Sequence, residues 1–244
     1  CTLERGERGE PAVRLGFRMI KGFTEEGAHR LVQVREEQAF YSAQDLARRS
    51  QLDQRDMGLL ADSGALKHLG GHRHKAKWDV LGVEAMPPLL ESTEFNEGVP
   101  LLPVPTEGEN LVADYATLGL TLGRHPLSLL RERLNNLGLL DAAHIGELSH
   151  GDRVRTAGLV INRQRPSTAS GVIFMTLEDE TGHINVVLWP WVTEKQRIEA
   201  LRARLLIING TIEREGEVIH VVAGKLEDHS QMLGCLLTRS RDFY

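Results

Sequence analysis

At Asp152 the chain changes its hydrophobic period, and that change constrains the fold more than any other feature. Upstream, apolar residues recur every three or four positions, and downstream they alternate, as on a half-buried strand. Arg153–Arg163 predicts a long first strand with a glycine, Gly158, where it could bend, and Gly171–Glu178 predicts a second. Asp179-Glu180-Thr181-Gly182 has the composition of a hairpin turn and leads into a third strand, His183–Leu188. Thr193–Arg204 predicts a charged helix, Leu205–Ile212 a fourth strand, Glu215-Gly216 a turn and Val218–Ala223 a fifth strand. Three strands, a helix and two strands is the order of an OB-fold, a small five-stranded barrel.

The first part of the chain predicts helices. Ala28, Leu31, Val32 and Arg35 fall at i, i+3, i+4 and i+7, with Thr24 and the acidic pair Glu25-Glu26 at the start of that helix. A second helix begins near Ser42 with Asp45 in its first turn, a third covers Asp56 to Asp62, and His74 to Leu81 adds a short one carrying Trp78. Residues 83–109 are rich in Pro and Glu and lack periodicity, as an extended linker does. Residues 109–141 return to helix around a break at Gly123-Arg124-His125-Pro126, with Leu127, Leu130, Leu134 and Leu137 on one face. The expected architecture is α+β: a helical region over 1–82, the linker over 83–109, a helical connector over 110–150, the barrel over 151–230 and a tail over 231–244.

No apolar run approaches the ~18 residues that a membrane-spanning helix needs, so a membrane is not an expected partner. The two cysteines, Cys1 and Cys235, lie at opposite ends without metal-binding spacing, which fits a reducing, cytoplasmic setting. His68, His72 and His74 lie among Lys67, Arg73, Lys75 and Lys77 with no carboxylate, and those charges would repel a cation. The net charge of −5 argues against a nucleic-acid partner only until its distribution is considered. Residues 1–82 carry 14 basic against 12 acidic side chains, 83–150 carry 3 against 10, and 151–244 balance at 12 each. Both flanking segments can therefore present a basic stripe.

Two constellations suit DNA. In Ile20-Lys21-Gly22-Phe23-Thr24-Glu25-Glu26-Gly27-Ala28 a glycine-containing turn ends at a helix start, where backbone N–H groups have no intrahelical partner. Those groups and the helix dipole form an anion site, so Lys21, Gly22 and Gly27 are candidate phosphate contacts. The spacing resembles the helix-hairpin-helix family, which binds the DNA backbone; Thr24 stands where that family usually has a second glycine, which weakens phosphate approach there. The other is the outer face of the second and third barrel strands, where OB-folds lay single-stranded nucleic acid over basic and aromatic side chains. Alternation sends Phe174 and Asn185 outward, places Trp189 at the strand end and leaves Arg163 and Arg165 at the entry to the second strand. The competing role for Trp189-Pro190-Trp191 is to pack the barrel end, a role better suited to Trp191 than to Trp189.

The sequence has no set of aspartates spaced for two-metal nucleotidyl transfer, no Gly-rich loop ending in Lys-Ser/Thr and no His-Glu-x-x-His. No catalytic residue, metal ligand or cofactor is therefore assigned.

The order of these pieces resembles the C-family DNA polymerases, the family of the bacterial DNA polymerase III alpha subunit. The resemblance is carried by Val13 to Gly22, by Leu60-Ala61-Asp62-Ser63-Gly64-Ala65-Leu66 and by Leu118 to Leu127. It extends through Gly158 to Pro190, with Arg163-Gln164-Arg165-Pro166 and Val186-Val187-Leu188-Trp189-Pro190. The ending, Thr238-Arg239-Ser240-Arg241-Asp242-Phe243-Tyr244, resembles the error-prone, damage-tolerant branch. The resemblance implies the C-terminal, DNA-binding part of a translesion polymerase that acts in repair and replication. Its catalytic palm, with Mg²⁺, would lie outside this chain, and accessory proteins of a damage response would be partners. The alternatives are a stand-alone OB-fold accessory protein without polymerase activity, an anticodon-binding appendage of a tRNA synthetase, and a protein-interaction platform.

Overall fold

The structure, a computed structural model, describes residues 1–6, 9–83, 101–168, 170–236 and 240–243. The chain divides into two compact units, Cys1–Thr121 and Leu122–Tyr244. The division falls inside the stretch read as a helical connector, and residues 84–100 of the expected linker lie outside the described residues.

The first unit opens with an antiparallel hairpin, β1 (Thr2–Arg5) and β2 (Pro11–Arg14), which the sequence had not announced. Among the described residues six α-helices follow: α1 (Glu25–Glu37), α2 (Ala43–Ser50), α3 (Gln54–Asp62), α4 (Lys67–Gly70), α5 (Arg73–Leu81) and α6 (Glu107–Thr117). Side-chain caps fix their starts. Thr24 Oγ1 accepts from the Gly27 amide, Ser42 Oγ from Asp45, Asp53 Oδ1 from Asp56 and His72 Nδ1 from Lys75. Thr106 and Glu109 form a reciprocal capping box that begins α6. The core gathers Ile20, Leu31, Leu46, Met57, Leu60 and Val80. Arg73 ties α5 to α6 by donating to Asp114 at 2.5 Å and to the Asn110 carbonyl at 3.2 Å.

In the second unit a 3₁₀ turn (Pro126–Leu129), α7 (Arg131–Asn136) and α8 (Ala142–Glu147) precede the barrel. Its strands are β3 (Arg153–Gln164), β4 (Ile173–Glu178), β5 (His183–Leu188), β6 (Leu205–Glu215) and β7 (Val218–Asp228). They close in the order β3-β4-β5-β7-β6-β3, with β5 and β7 parallel and the other neighbours antiparallel. The architecture is thus a helical hairpin region followed by a five-stranded OB-fold barrel. Strand β3 serves both halves, pairing with β6 over 153–159 and with β4 over 159–164. A Cβ on Gly158 would lie 2.6 Å from Leu177 Cβ, so only glycine lets β3 cross β4 so closely. Met175, Leu177, Ile184, Val186, Leu188 and Val221 fill the interior.

Two details differ from the sequence reading. The single helix expected over Thr193–Arg204 is a pair, α9 (Pro190–Lys195) and α10 (Arg197–Arg202), broken at Gln196. The Gln196 amide group donates to the Leu226 carbonyl (2.7 Å) and accepts from the Leu226 amide (3.1 Å), which fixes the break against β7. The fifth strand runs five residues past Ala223, accommodated by a register shift between Asn209 and Gly210. A short strand, β8 (Arg241–Phe243), pairs in parallel with β3 at Asn162–Gln164.

Candidate nucleic-acid interface

At the hairpin, a 3₁₀ turn over Phe17–Met19 leads into Gly22 at φ +81°, a left-handed conformation that favours glycine, and then into the Thr24 cap of α1. Gly22 is exposed, and its carbonyl accepts from Arg55 at 2.9 Å. Lys21 points elsewhere. Its Nζ donates to the carbonyls of Tyr115 (2.9 Å) and Ala116 (2.8 Å), and its amide donates to Thr117, so it caps the C-terminal end of α6. Its third ammonium N–H remains for another acceptor.

Gly27 departs from its expected role. It is buried, and a Cβ there would lie 2.6 Å from Thr24 Oγ1 and 3.0 Å from both Asp56 Oδ2 and Leu52 Cδ2. It is a packing glycine rather than a phosphate contact. The Thr24 hydroxyl donates to Asp56 Oδ2 at 2.7 Å, so a protein carboxylate already sits beside the start of α1.

On the barrel, alternation places the outer face of β4 and β5 as the sequence predicts. Met175 and Leu177 point inward, while Phe174 is 39 % exposed and Asn185 lies open. Cross-strand register sets Phe174 beside Val187, Thr176 beside Asn185 and Glu178 beside His183. Trp189, the residue before α9, is 45 % exposed. Trp191 is 56 % exposed, more than Trp189, the reverse of the order of burial the sequence suggested. Val192 and Ala200 belong to the barrel core. Arg165 is exposed beside Gly171. The face therefore joins Arg165, Phe174, Asn185 and Trp189 on one unit.

Arg163 does not belong to it. It is 3 % exposed, and its guanidinium donates from Nε to the Ala200 carbonyl (2.8 Å), from Nη2 to that of Ala203, and from Nη1 to Ser240 Oγ (2.6 Å). A cation here satisfies carbonyls at the end of α10, where the helix dipole is negative. The cause is a register shift in β3 between Val160 and Asn162, which sets Arg163 opposite the inward-facing Met175.

Two domain families match this chain: the helix-hairpin-helix motif over residues 1–76 and the OB-fold nucleic acid binding domain over residues 154–228. The error-prone DNA polymerase of Alkalilimnicola ehrlichii is 53 % identical over 244 residues, covering 100 % of this chain and 24 % of that protein. That of Pseudomonas aeruginosa is 51 % identical over 245 residues, with the same two shares. Along its whole length the chain is thus about half identical to one segment of proteins named error-prone DNA polymerase. It spans about a quarter of the length of the relatives it matches. Among solved structures, asparaginyl-tRNA synthetase from Pyrococcus horikoshii aligns at TM-score 0.33 and 24 % identity, over 37 % of this chain and 22 % of that one. Among the described residues no helix is long and apolar enough to cross a membrane.

The β4–β5 turn that borders the face is the Asp179-Glu180-Thr181-Gly182 hairpin turn that the sequence indicates. It is held by two residues the sequence reading did not single out, Arg131 and Ala142. Asp179 Oδ1 accepts from the Thr181 amide (2.7 Å), the Thr181 hydroxyl (2.8 Å) and the Gly182 amide (3.0 Å), while Oδ2 accepts from the Ala142 amide (2.8 Å). Arg131 grips Glu180 through Nε and, at 2.9 Å, through Nη2. Burial pushes the Glu180 carboxyl up, but the bond and charge of Arg131 outweigh it and hold it below the usual carboxylate range. These carboxylates are committed to protein donors, and among the described residues no three His, Cys, Asp or Glu converge as a metal site needs. The chain's own residues do not fit Mg²⁺ here.

The same corner makes stability depend on pH. His125 Nδ1 accepts from the Leu127 amide (3.2 Å) and begins the 3₁₀ turn. Burial depresses its pKa, against the raising pull of Glu178, Glu180 and Asp179. The unfolded chain therefore takes up a proton on this imidazole at a pH where the folded chain does not. Its contribution is present above the unfolded value of about 6.5 and is lost as pH falls from there toward the lower folded value. His144, raised by its bond to Asp141, has the opposite sign but is fully exposed. The melting temperature is expected to drop between pH 7.5 and 5.5, and to drop less in His125→Asn, whose side chain keeps a capping acceptor without a titrating proton. Equal drops in the two proteins would remove His125 from this account.

Proposed function

We propose that this chain is the DNA-holding, non-catalytic C-terminal part of an error-prone, DNA-directed DNA polymerase active in translesion synthesis and repair. The hairpin unit takes phosphates of duplex DNA on the exposed backbone around Gly22 and the start of α1, with the free N–H of Lys21 nearby. The barrel guides single-stranded template across β4 and β5, with Arg165 on phosphate and Phe174, Asn185 and Trp189 toward the bases. Nucleotidyl transfer belongs to a palm domain outside this chain, where Mg²⁺ would supply its charge. Accessory proteins of the damage response would dock on the assembled polymerase.

The observation that supports this reading best is the outer β4–β5 face. Two large aromatic side chains stand exposed there on a sheet whose other side is a closed core. Every base offers a π-face, so such a platform suits template of any sequence. The purified chain is expected to bind a fluorescein-labelled single-stranded oligonucleotide with affinity that falls steeply with salt, because phosphate neutralisation releases counterions. It is expected to extend no primer with Mg²⁺ and all four nucleotides. Anisotropy titrations across a salt series and a primer-extension gel check the two parts. Absence of binding at low salt would sink the DNA-holding role, and templated extension by the pure chain would sink the non-catalytic one.

A further inference from the structure

The outward residues of the barrel do not stop at β5. Pair by pair, Phe174 lies beside Val187, Val187 beside Val222, Val222 beside Thr211 and Thr211 beside Arg153, so one row runs around the barrel from β4 to β3. The register shift between Asn209 and Gly210 offsets the next row, which joins Lys225 to Asn209 and Asn209 to Arg155. Between these rows lies a groove of about 560 Å³ lined by Arg153, Arg155, Asn209, Thr211, Lys225 and the exposed ring of Trp191. Val222 and the side-chain-free Gly224 belong to the same lining and keep it shallow.

We propose that this groove is a second contact for single-stranded DNA, continuing the path that begins on the β4–β5 face. Arg153 and Lys225 take successive phosphates, Arg155 and Asn209 offer polar contacts, and Trp191 takes the face of a base. The inference rests on the barrel binding single-stranded DNA at all. Its chemistry is that of a strand-binding surface: cations to track phosphates and an aromatic to stack on.

The groups around the groove fit that ligand. Arg155 donates from Nε to Asn209 Oδ1 (2.7 Å) and from Nη1 to the Leu137 carbonyl (2.9 Å). Those two bonds fix the plane of the guanidinium and leave its remaining donors for an anion. Arg153 is exposed at the end of the neighbouring row, beside Thr211. Lys225 Nζ lies 3.0 Å from Glu227, which also accepts from Asn209 Nδ2 (3.3 Å) and lies 3.7 Å from His229, so Lys225 is a partly neutralised cation. Toward the β6–β7 turn, Glu213, Glu215 and Glu217 are exposed and acidic. They would repel phosphate, so the basic stretch ends at Thr211 and a bound strand runs toward Trp191 instead.

The test uses the full chain and a fluorescein-labelled twenty-residue thymidine oligonucleotide, followed by anisotropy over a salt series. Arg153→Ala/Lys225→Ala should weaken binding about fivefold or more at low salt and flatten the log–log salt slope by about 1.4, the value for two phosphate contacts on a single strand. Trp191→Ala should weaken binding about fivefold or more with the slope unchanged, as loss of a stacked base does. Arg153→Lys, which keeps the charge, should bind as the parent does. All these side chains are exposed, so thermal melts should stay at the parent value. Phe174→Ala serves as the reference for the β4–β5 face. If it weakens binding while the groove variants do not, the groove inference is overturned and the proposed function stands. If the groove variants weaken binding and Phe174→Ala does not, the groove stands and the β4–β5 path falls. A parent chain that binds no oligonucleotide overturns both, and loss in only one groove variant overturns the assignment of the other's residues.

Discussion

Replacing Arg163 by alanine should destabilise the barrel unit by about 3–5 kcal/mol, because it deletes a buried cation and strands the carbonyls it satisfied. The Ala200 and Ala203 carbonyls lose their donor at the end of α10, and the tie to Ser240 goes with it. Arg163→Lys should recover only part of the loss, since an ammonium is a point charge and cannot reproduce the planar fork that reaches several acceptors. Arg165→Ala, two residues along and exposed, should stay within about 0.5 kcal/mol of the parent. Urea unfolding midpoints on the three variants decide the matter. A stable Arg163→Ala protein with weakened DNA binding would return Arg163 to the interface and refute its structural role.

The case of Arg163 also shows where sequence reading stops. The barrel was legible because β4 and β5 alternate inward and outward residues, as one buried face requires, and because β3 and β6 carry continuous apolar runs bounded by turn residues. Before the shift, β3 pairs Val160 with the inward Leu177 and Leu159 with Glu178. Unbroken alternation would therefore put the odd-numbered Arg163 on the face of Glu178, although Ala157 and Leu159 on that face are buried as well. The extra residue in the register shift after Val160 reverses the parity, and nothing local in the sequence announces it. The break at Gln196 was hidden for a similar reason, since the group that fixes it, the Leu226 backbone, is 30 residues away. The opening hairpin gave no periodic signal because neither of its strands buries a residue. Helix starts were legible at Thr24 and Ser42, where the capping side chain and its amide lie three residues apart. At the hairpin, spacing alone could not separate Gly22, which needs a left-handed turn, from Gly27, which needs space against Leu52 and Asp56. The groove cations were within reach of the same alternation, since Arg153 and Arg155 flank the inward Val154.

Truncating Phe174 or Trp189 to alanine should weaken single-stranded DNA binding roughly five- to hundredfold while leaving the fold intact, since stacking on an aromatic is worth roughly 1–3 kcal/mol per base. The exposure of both rings separates this outcome from a packing effect. A buried aromatic cut to alanine costs about 3–5 kcal/mol of stability. At 39 % and 45 % exposed, Phe174 and Trp189 have much less contact to lose. Phe174 keeps a neighbour in Val187, so a small drop in melting temperature is expected there. Neither ring carries charge, so the salt dependence of binding should be unchanged in both variants. Arg165→Ala should do the opposite, flattening the log–log salt slope by about 0.7 for one lost phosphate contact on a single strand. Melts and anisotropy titrations on the same three proteins read both quantities. Unchanged affinity in both aromatic variants, with intact melts, would show that the strand does not cross β4 and β5.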